Sequence, residues 1–499
     1  MLSNLSLAGC LLAAAVTSAQ NLTIANLTAG ANCACTQLAS TYGGQVLTSN
    51  STNYTAEATD YWDIRADLLP GCIFSPANAD EVAAAVSTFT SCGAQFAIRG
   101  GGHMNFPGSN NIDGGVLLSL GSLTDIKIAS DNKTVDAGPG TRWIDVYTAL
   151  SEYGLYCIGG RLKTIGVPGL ELIGGFHYLI NKYGMAMDNV LSYDVVLGNG
   201  TQVVANSTSN PDLFWALKGG GNNFGIVTKF TIKALPIPYI STTIQEFNES
   251  VMPDFIAATV NMAENDPPDV AAGSVISVTY NQTTKSISPS LLGVQEGTES
   301  PPSRFANFSA IPSVLSLNYV LTPLEWHSQL DSPFQMFRVQ FAHRTIKPDT
   351  AQLLKIYESW KTAVDEISDV EGLVPTFVMN ILPKSALSVA KNNGIGNTWG
   401  LDDDQSYILW QFSTGWANAA DDLRMTNWAS KLLDYWHLEN QALNLASEFI
   451  YMGDAGDFQD PFTGFPVENV RKMREIRDAY DPLGVFTRLN WGGFKLGAN

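Results

Sequence analysis

The sequence predicts an α+β protein of at least two lobes. Three observations predict it. The chain has 499 residues, more than one hydrophobic core usually serves. Up to Pro236-Ile237-Pro238, glycine-rich turns alternate with short β-rich runs and helices. From about Tyr239 to Ser447 the glycine loops thin out and strand segments mix with helices, and near Glu448 the chain returns to its earlier character. The segments are therefore 1–19, 20–65, 66–238, 239–447 and 448–499.

The first nineteen residues read as a secretory leader. Leu7 to Val16 is apolar but too short to span a bilayer, and Thr17-Ser18-Ala19 offers small residues for cleavage before Gln20. No Lys or Arg precedes the apolar run. Sequons follow at Asn21, Asn26, Asn50, Asn53, Asn132, Asn199, Asn206, Asn248, Asn281 and Asn307, which suits a glycosylated secreted protein. Beyond the leader stand Cys33, Cys35, Cys72, Cys92 and Cys157; an odd number in an oxidising compartment leaves at least one unpaired within the chain. No second close Cys or His pair complements Cys33 and Cys35, so zinc is not expected, nor is any metal site. Net charge is −19, which disfavours nucleic acid and anionic membrane as partners. The expected partners are a small-molecule substrate and oxygen, with the chain a monomer.

The elements follow in order. Asn78 or Asp80 caps a helix running to about Cys92. Phe96-Ala97-Ile98 is a strand, followed by β-rich runs at Val116-Leu117-Leu118, Ile126-Lys127-Ile128 and Thr134-Val135-Asp136. Gly138-Pro139-Gly140 breaks the chain, and Thr141 is placed to cap a helix from Trp143 to Tyr153. Tyr193 to Val204 is a hairpin turning at Gly198-Asn199-Gly200. Pro211 opens a helix that ends by Gly219-Gly220-Gly221, and Gly225 to Phe230 is a strand. Ala351 to Ile367 and Val467 to Tyr480 are helices, the latter stopped by Asp481-Pro482.

Arg99-Gly100-Gly101-Gly102-His103 directly follows the Phe96 strand. Three glycines remove every Cβ from one turn, so a ligand can lie on the backbone amides. The closing histidine is one of five in the chain. It reads either as a structural residue or as the nucleophile that holds a nucleotide-like cofactor covalently.

Further runs stand in a fixed order. They are Gly138-Pro139-Gly140 with Trp143, Ile165-Gly166-Val167 to Gly174-Gly175, and Lys182-Tyr183-Gly184-Met185-Ala186-Met187-Asp188-Asn189-Val190. Then come Leu213 to Val227 around Gly219-Gly220-Gly221-Asn222-Asn223-Phe224-Gly225, and Tyr480-Asp481-Pro482-Leu483-Gly484-Val485-Phe486. Together with Arg99 to His103 these resemble the vanillyl-alcohol oxidase/p-cresol methylhydroxylase flavoproteins, specifically the fungal berberine-bridge-enzyme-like branch. The resemblance covers roughly Tyr61 to Pro236 and Glu448 to Phe494.

It implies a two-subdomain p-cresol methylhydroxylase-type FAD-binding domain over 66–238, a substrate domain with an antiparallel sheet and helices over 239–447, and a C-terminal return over 448–499. It implies FAD along Arg99, Gly100, Gly101, Gly102, Gly166, Gly169, Gly174, Gly175, Ile226, Val227 and Asn490. It also implies a covalent flavin link through His103. Leu162 stands where many relatives carry a second, cysteinyl link, so a single attachment is expected and Cys157 is left as a buried free thiol. A disulfide from the N-terminal segment to Cys92 is implied, with Cys35 chosen over Cys33.

Relatives bring a tyrosine over the flavin from a segment matching Tyr451-Met452-Gly453-Asp454-Ala455, where Asp454 replaces that tyrosine. Asp454 reads as the proton acceptor or as a polar turn cap, and His177 as a catalytic or a wall residue. The expected function is a secreted FAD-dependent oxidase of fungal specialised metabolism that passes hydride to flavin and then to oxygen. A carbohydrate or alcohol oxidase and a non-redox flavoprotein are the alternatives.

Overall fold

The structure, a computed structural model, describes residues 29–330 and 338–497. The leader over 1–19 and the sequons at Asn21 and Asn26 lie outside the described residues. The fold is mixed helix and sheet, with three sheets and the cores between them.

The first sheet holds β1 (Val46–Leu47), β2 (Cys72–Phe74), β3 (Phe96–Arg99) and β4 (Val116–Ser119), in the order β1-β2-β4-β3. β2 and β3 run parallel to β4. The helix Ala79–Cys92 crosses over between β2 and β3. Asn78 caps it by accepting from the Glu81 amide at 3.0 Å, and Gly93 ends it at φ +62°. Its buried face is Val82, Ala85, Val86 and Phe89, a helical spacing set against β2, β3 and β4. Burying such side chains stabilises by about 1.5–3 kcal/mol for each large one.

The second sheet is antiparallel: β5 (Ile126–Ile128), β6 (Thr134–Ala137), β7 (Val190–Val196), β8 (Gln202–Asn206) and β9 (Ile226–Lys233), in the order β5-β6-β9-β7-β8. β7 and β8 form the hairpin at the expected turn, with Val196 opposite Gln202 and Gly200 at φ +80°. The helix Trp143–Ser151 is present, but Thr141 does not cap it. The helix starts at Arg142, whose N–H donates to Asp145 at 2.8 Å, and the Thr141 hydroxyl donates back to the Gly138 carbonyl at 2.6 Å. The glycine–proline turn thus claims the hydroxyl before the helix begins.

The third sheet is the largest: β10 (Ile240–Phe247), β11 (Ala272–Tyr280), β12 (Ile287–Glu296), β13 (Ser313–Leu321), β14 (Arg338–Ile346), β15 (Val374–Leu382), β16 (Tyr407–Trp416) and β17 (Ala446–Ser447). Its order is β13-β10-β12-β11-β15-β16-β14-β17, antiparallel throughout. Side chains alternate between its faces. Ile276, Met379, Trp410 and Phe412 pack on helices such as Met252–Glu264 and Thr350–Val364. Val275, Val378, Asn380, Gln411 and Ser413 face the other way, towards the first two sheets. After the helix Val467–Tyr480 the chain returns to the first sheet, where Asn490 bridges Phe96 and the Trp491 amide donates to the Phe96 carbonyl at 2.7 Å. No helix among the described residues is long and apolar enough to cross a membrane.

Two disulfides join the N-terminal segment to the first sheet, and their pairing corrects the expected one. Cys33 bonds Cys92, and Cys35 bonds Cys72. Residues 29–42 are helical, and helix positions two apart point to nearly opposite sides. Cys33 therefore faces the end of helix Ala79–Cys92 while Cys35 faces β2. Cys157 is buried with a free thiol. Of the eight described sequons, Asn50, Asn53, Asn132, Asn199, Asn248, Asn281 and Asn307 are exposed and Asn206 is half-buried.

Non-reducing peptide mapping is expected to return a Cys33–Cys92 pair and a Cys35–Cys72 pair; a Cys35–Cys92 peptide would contradict this pairing. Cys35→Ser with Cys72→Ser opens a crosslink spanning 37 residues. On the chain-entropy account this costs up to about 4 kcal/mol of unfolding free energy, measured in denaturant.

Candidate active site

Between the first two sheets and the open face of the third lies a cavity of about 440 Å³. One wall is the Gly100–His103 loop leaving β3, and a second is the stretch from Ile165 to Leu170. Gly225, Ile226 and Val227 enter β9 along it, and the third sheet and Tyr451–Asp454 close it. The walls are predominantly apolar, with Val275, Leu292, Phe176, Phe341 and Val378 among them.

Two glycines decide the shape of this wall. A Cβ on Gly101 would lie 2.4 Å from the Gly166 nitrogen, and a Cβ on Gly166 would lie 2.5 Å from the Gly101 nitrogen. Arg142 clamps the two loops by donating to the carbonyls of Gly101 and Thr164, at 3.1 and 2.6 Å. Gly102 sits at φ +65°, where a side chain is strained. Among the described residues, the N–H groups of Gly101 and Gly102 find no protein acceptor. They are left for a ligand.

The expected cofactor residues divide. Gly100, Gly101, Gly102, His103, Gly166, Gly169, Ile226 and Val227 line the cavity. The Arg99 side chain turns away, stacking on Tyr61 at 5.2 Å, ion-pairing with Glu57 and donating to Ser119 at 3.0 Å. Gly174 and Gly175 stand behind the wall at φ +121° and +82°, and a Cβ there would strike Trp399 and Ala186. Asn490 is buried beside Asn222, which does line the cavity.

His103 lies against Trp62, with ring centroids 5.1 Å apart and planes 12° from parallel. Its Nε2 is 3.0 Å from the Thr164 hydroxyl. Burial first, and the Arg142 charge second, push its pKa down to about 3. The imidazole is therefore neutral and keeps a nucleophilic lone pair.

The polar groups of the cavity form one cluster. Asp454 accepts from Asn380 Nδ2 at 3.1 Å, and the same nitrogen donates to Gln411 at 3.2 Å. Arg161 donates through Nη1 and Nη2 to Asn380 Oδ1, at 3.1 and 3.2 Å. Burial raises the Asp454 pKa to about 6, against the opposing pull of Arg161. Tyr451 packs edge-on against Phe176 at 5.0 Å, and burial raises its hydroxyl well above the ordinary value. It stays protonated, with the amides of Gly175 and Phe176 facing its oxygen.

His177 does not reach this cluster. Its Nδ1 accepts from the Leu179 amide at 3.1 Å, so its Nε2–H donates to the Tyr156 oxygen at 2.7 Å. The Tyr156 hydroxyl then donates to His327 Nε2 at 2.5 Å, and His327 Nδ1–H donates to the Arg161 carbonyl at 3.0 Å. Burial pushes both histidines down, His327 to about 3, so the whole chain is neutral. It ends on the backbone of Arg161, whose side chain holds Asn380 and, through it, Asp454. Arg161, Asn380, Gln411, Trp62 and Thr164 were not anticipated from sequence. Period-2 alternation on β15 and β16 is the one signal that places Asn380 and Gln411 on a common face.

The FAD binding domain family matches residues 70–206. A FAD-dependent monooxygenase of Penicillium roqueforti is 32% identical over 93% of this chain and 93% of its own length. Another, of Aspergillus calidoustus, is 30% identical over 94% of this chain and 91% of its own length. Among solved structures, the berberine-bridge-enzyme-like protein 1 of Physcomitrella patens superposes with a TM-score of 0.75 at 19% identity, covering 91% of this chain and 97% of that one. The xylooligosaccharide oxidase of Myceliophthora thermophila, with xylobiose bound, gives a TM-score of 0.75 at 20% identity, covering 93% and 100%.

Tyr156→Phe removes the donor to His327 and the acceptor for His177 inside the core. The expected cost is about 1–3 kcal/mol of unfolding free energy, read in denaturant. An unchanged midpoint would show that the chain carries no stability.

Proposed function

The chain belongs to the FAD-linked oxidoreductases of the vanillyl-alcohol oxidase/p-cresol methylhydroxylase superfamily, in the berberine-bridge-enzyme-like branch, and from that premise we propose that it is a secreted oxidase of small organic molecules in fungal secondary metabolism. The glycine cradle fits FAD: two free amides, no Cβ in the way, and a neutral histidine at its end. FAD held there supplies a two-electron acceptor. The observation that carries the reading is Asp454, a half-buried carboxyl in the same cavity whose pKa desolvation pushes up to about 6. Above that pH it is ionised and accepts the proton of a substrate O–H or N–H as the neighbouring C–H is oxidised. Asn380 holds one of its oxygens, and Arg161 steadies the charge that remains. Tyr451 is too firmly protonated to be the base and serves as a wall. His177, with both nitrogens engaged, supports Arg161 from behind.

His103 carries the single covalent attachment, because its imidazole is neutral and Leu162, on the same cavity, offers no nucleophile. Cys157 is buried in the core and is absent from the cavity wall. Secretion is supported by the two disulfides and the seven exposed sequons. Oxygen is the expected second substrate, and hydrogen peroxide the product. The curated relatives are named monooxygenases, which favours a second reading in which one oxygen atom enters the product. Product analysis under ¹⁸O₂ separates them: the oxidase returns peroxide and unlabelled product.

Peptide mass mapping is expected to find flavin on the His103 peptide alone, and flavin on Cys157 would overturn the attachment. A peroxide screen of aromatic alcohols, sugars and fungal metabolites supplies a substrate for rapid-mixing reduction without oxygen. With that substrate, reduction should slow as pH falls through about 6, because Asp454 must be ionised to act. Asp454→Asn should slow it about 10²- to 10⁴-fold and leave flavin content unchanged. Wild-type reduction in that variant would place the base elsewhere.

A further inference from the structure

Arg161 is a half-buried cation on an apolar cavity with no carboxylate within ion-pair distance among the described residues. Of its five N–H donors, two go to Asn380 Oδ1 and one reaches the Ser274 carbonyl at 3.4 Å from Nη1. What remains is one side of the fork, the Nε–H and the outer Nη2–H. Two parallel donors on that edge match the two oxygens of a carboxylate. Elsewhere in this protein the same edge is used that way: Arg338 grips Asp422 through Nε and Nη2.

No carboxylate touches this cation directly: Asp454, the nearby acid, is held off it by Asn380, and the protein fixes the guanidinium in place. Asn380 holds the inner side of the fork, the ring of Phe176 lies 5.9 Å away, and the His177–Tyr156–His327 chain pins the Arg161 carbonyl. Asp454 is turned to Asn380 Nδ2 and leaves the free edge of Arg161 open.

We propose that Arg161 anchors a carboxylate of the substrate, so that the enzyme takes apolar, ring-bearing carboxylic acids. This rests on the reading of the cavity as the substrate site. The apolar body lies against Val275, Leu292 and Val378 while the acid group meets the guanidinium.

The test is equilibrium binding to the flavin-loaded protein at pH 7, with 2-naphthoate and its neutral counterpart 2-naphthalenemethanol, read by calorimetry. Wild type should bind the acid about tenfold or more tightly than the alcohol. Arg161→Met should erase that preference, so that the acid and the alcohol bind about equally to the variant. Arg161→Lys, which keeps the charge but not the two-point edge, should retain an intermediate preference. Equal binding of the two probes by wild type overturns the proposal, as does a full preference in either variant. Because no turnover is needed, an acid preference with no peroxide from any compound of the screen would sink the oxidase reading alone, and peroxide release without an acid preference would sink this one alone.

Discussion

The backbones of Gly101 and Gly166 touch, and the rest of the site depends on that contact. One glycine leaves a parallel strand of the first sheet; the other opens the short helix that carries Pro168 and Gly169. Each stands where the other's Cβ would be, within 2.4–2.5 Å of a nitrogen. No side chain larger than hydrogen is tolerated at either position without separating the loops. Separation would cost the Arg142 clamp, the placement of His103 beside Thr164, and the alignment of two free amides towards the cavity. The disulfides stabilise the same subdomain from outside, by holding the N-terminal helix against the strand and helix that lead into the loop.

Opposite that polar backbone surface, the third sheet presents apolar side chains with a single knot of polarity. Burial acts on each ionisable group in the direction of neutrality. His103, His177 and His327 are pushed down, Tyr451 and Asp454 up. Arg161 is the exception, because a guanidinium does not give up its proton. Among the described residues that line the cavity, one therefore carries a permanent charge. Its neighbour Asp454 is balanced near its titration point, kept from full neutrality by that charge. On the proposed reading, proton chemistry and ligand orientation arise from the same pair of residues, with Asn380 as the amide between them.

Much of the first lobe was legible because local rules act there without competition. Asn78 caps a helix, Asn199-Gly200 turns a hairpin, and a triple glycine after a strand leaves amides bare. The wrong disulfide partner shows where such rules stop. Cys33 and Cys35 are two residues apart, and only the helix that carries them decides which side each faces. Thr141 was misplaced for a similar reason, since the preceding turn competed for its hydroxyl. The polar cluster was legible only at Asp454. Asn380 and Gln411 come from strands that sheet pairing brings together, β15 beside β16, and Arg161 reaches them from a loop far earlier in the chain. Nothing in the local sequence of either strand marks those residues as belonging to a site. His177 was visible as a residue near glycines, but its two hydrogen bonds, which make it a support, depend on Tyr156 and His327 far along the chain.

The most direct measurement is the flavin content of Gly166→Ala, as the ratio of bound flavin absorbance to protein. Gly166 has φ −77° and ψ 148°, a backbone conformation that alanine adopts freely, so the variant changes only the contact with Gly101. The account predicts a protein with wild-type far-ultraviolet circular dichroism and intact disulfides that retains well under half of its flavin. Full stoichiometric flavin in a folded Gly166→Ala protein would contradict the claim that the two glycine loops, held backbone to backbone, build the cofactor site.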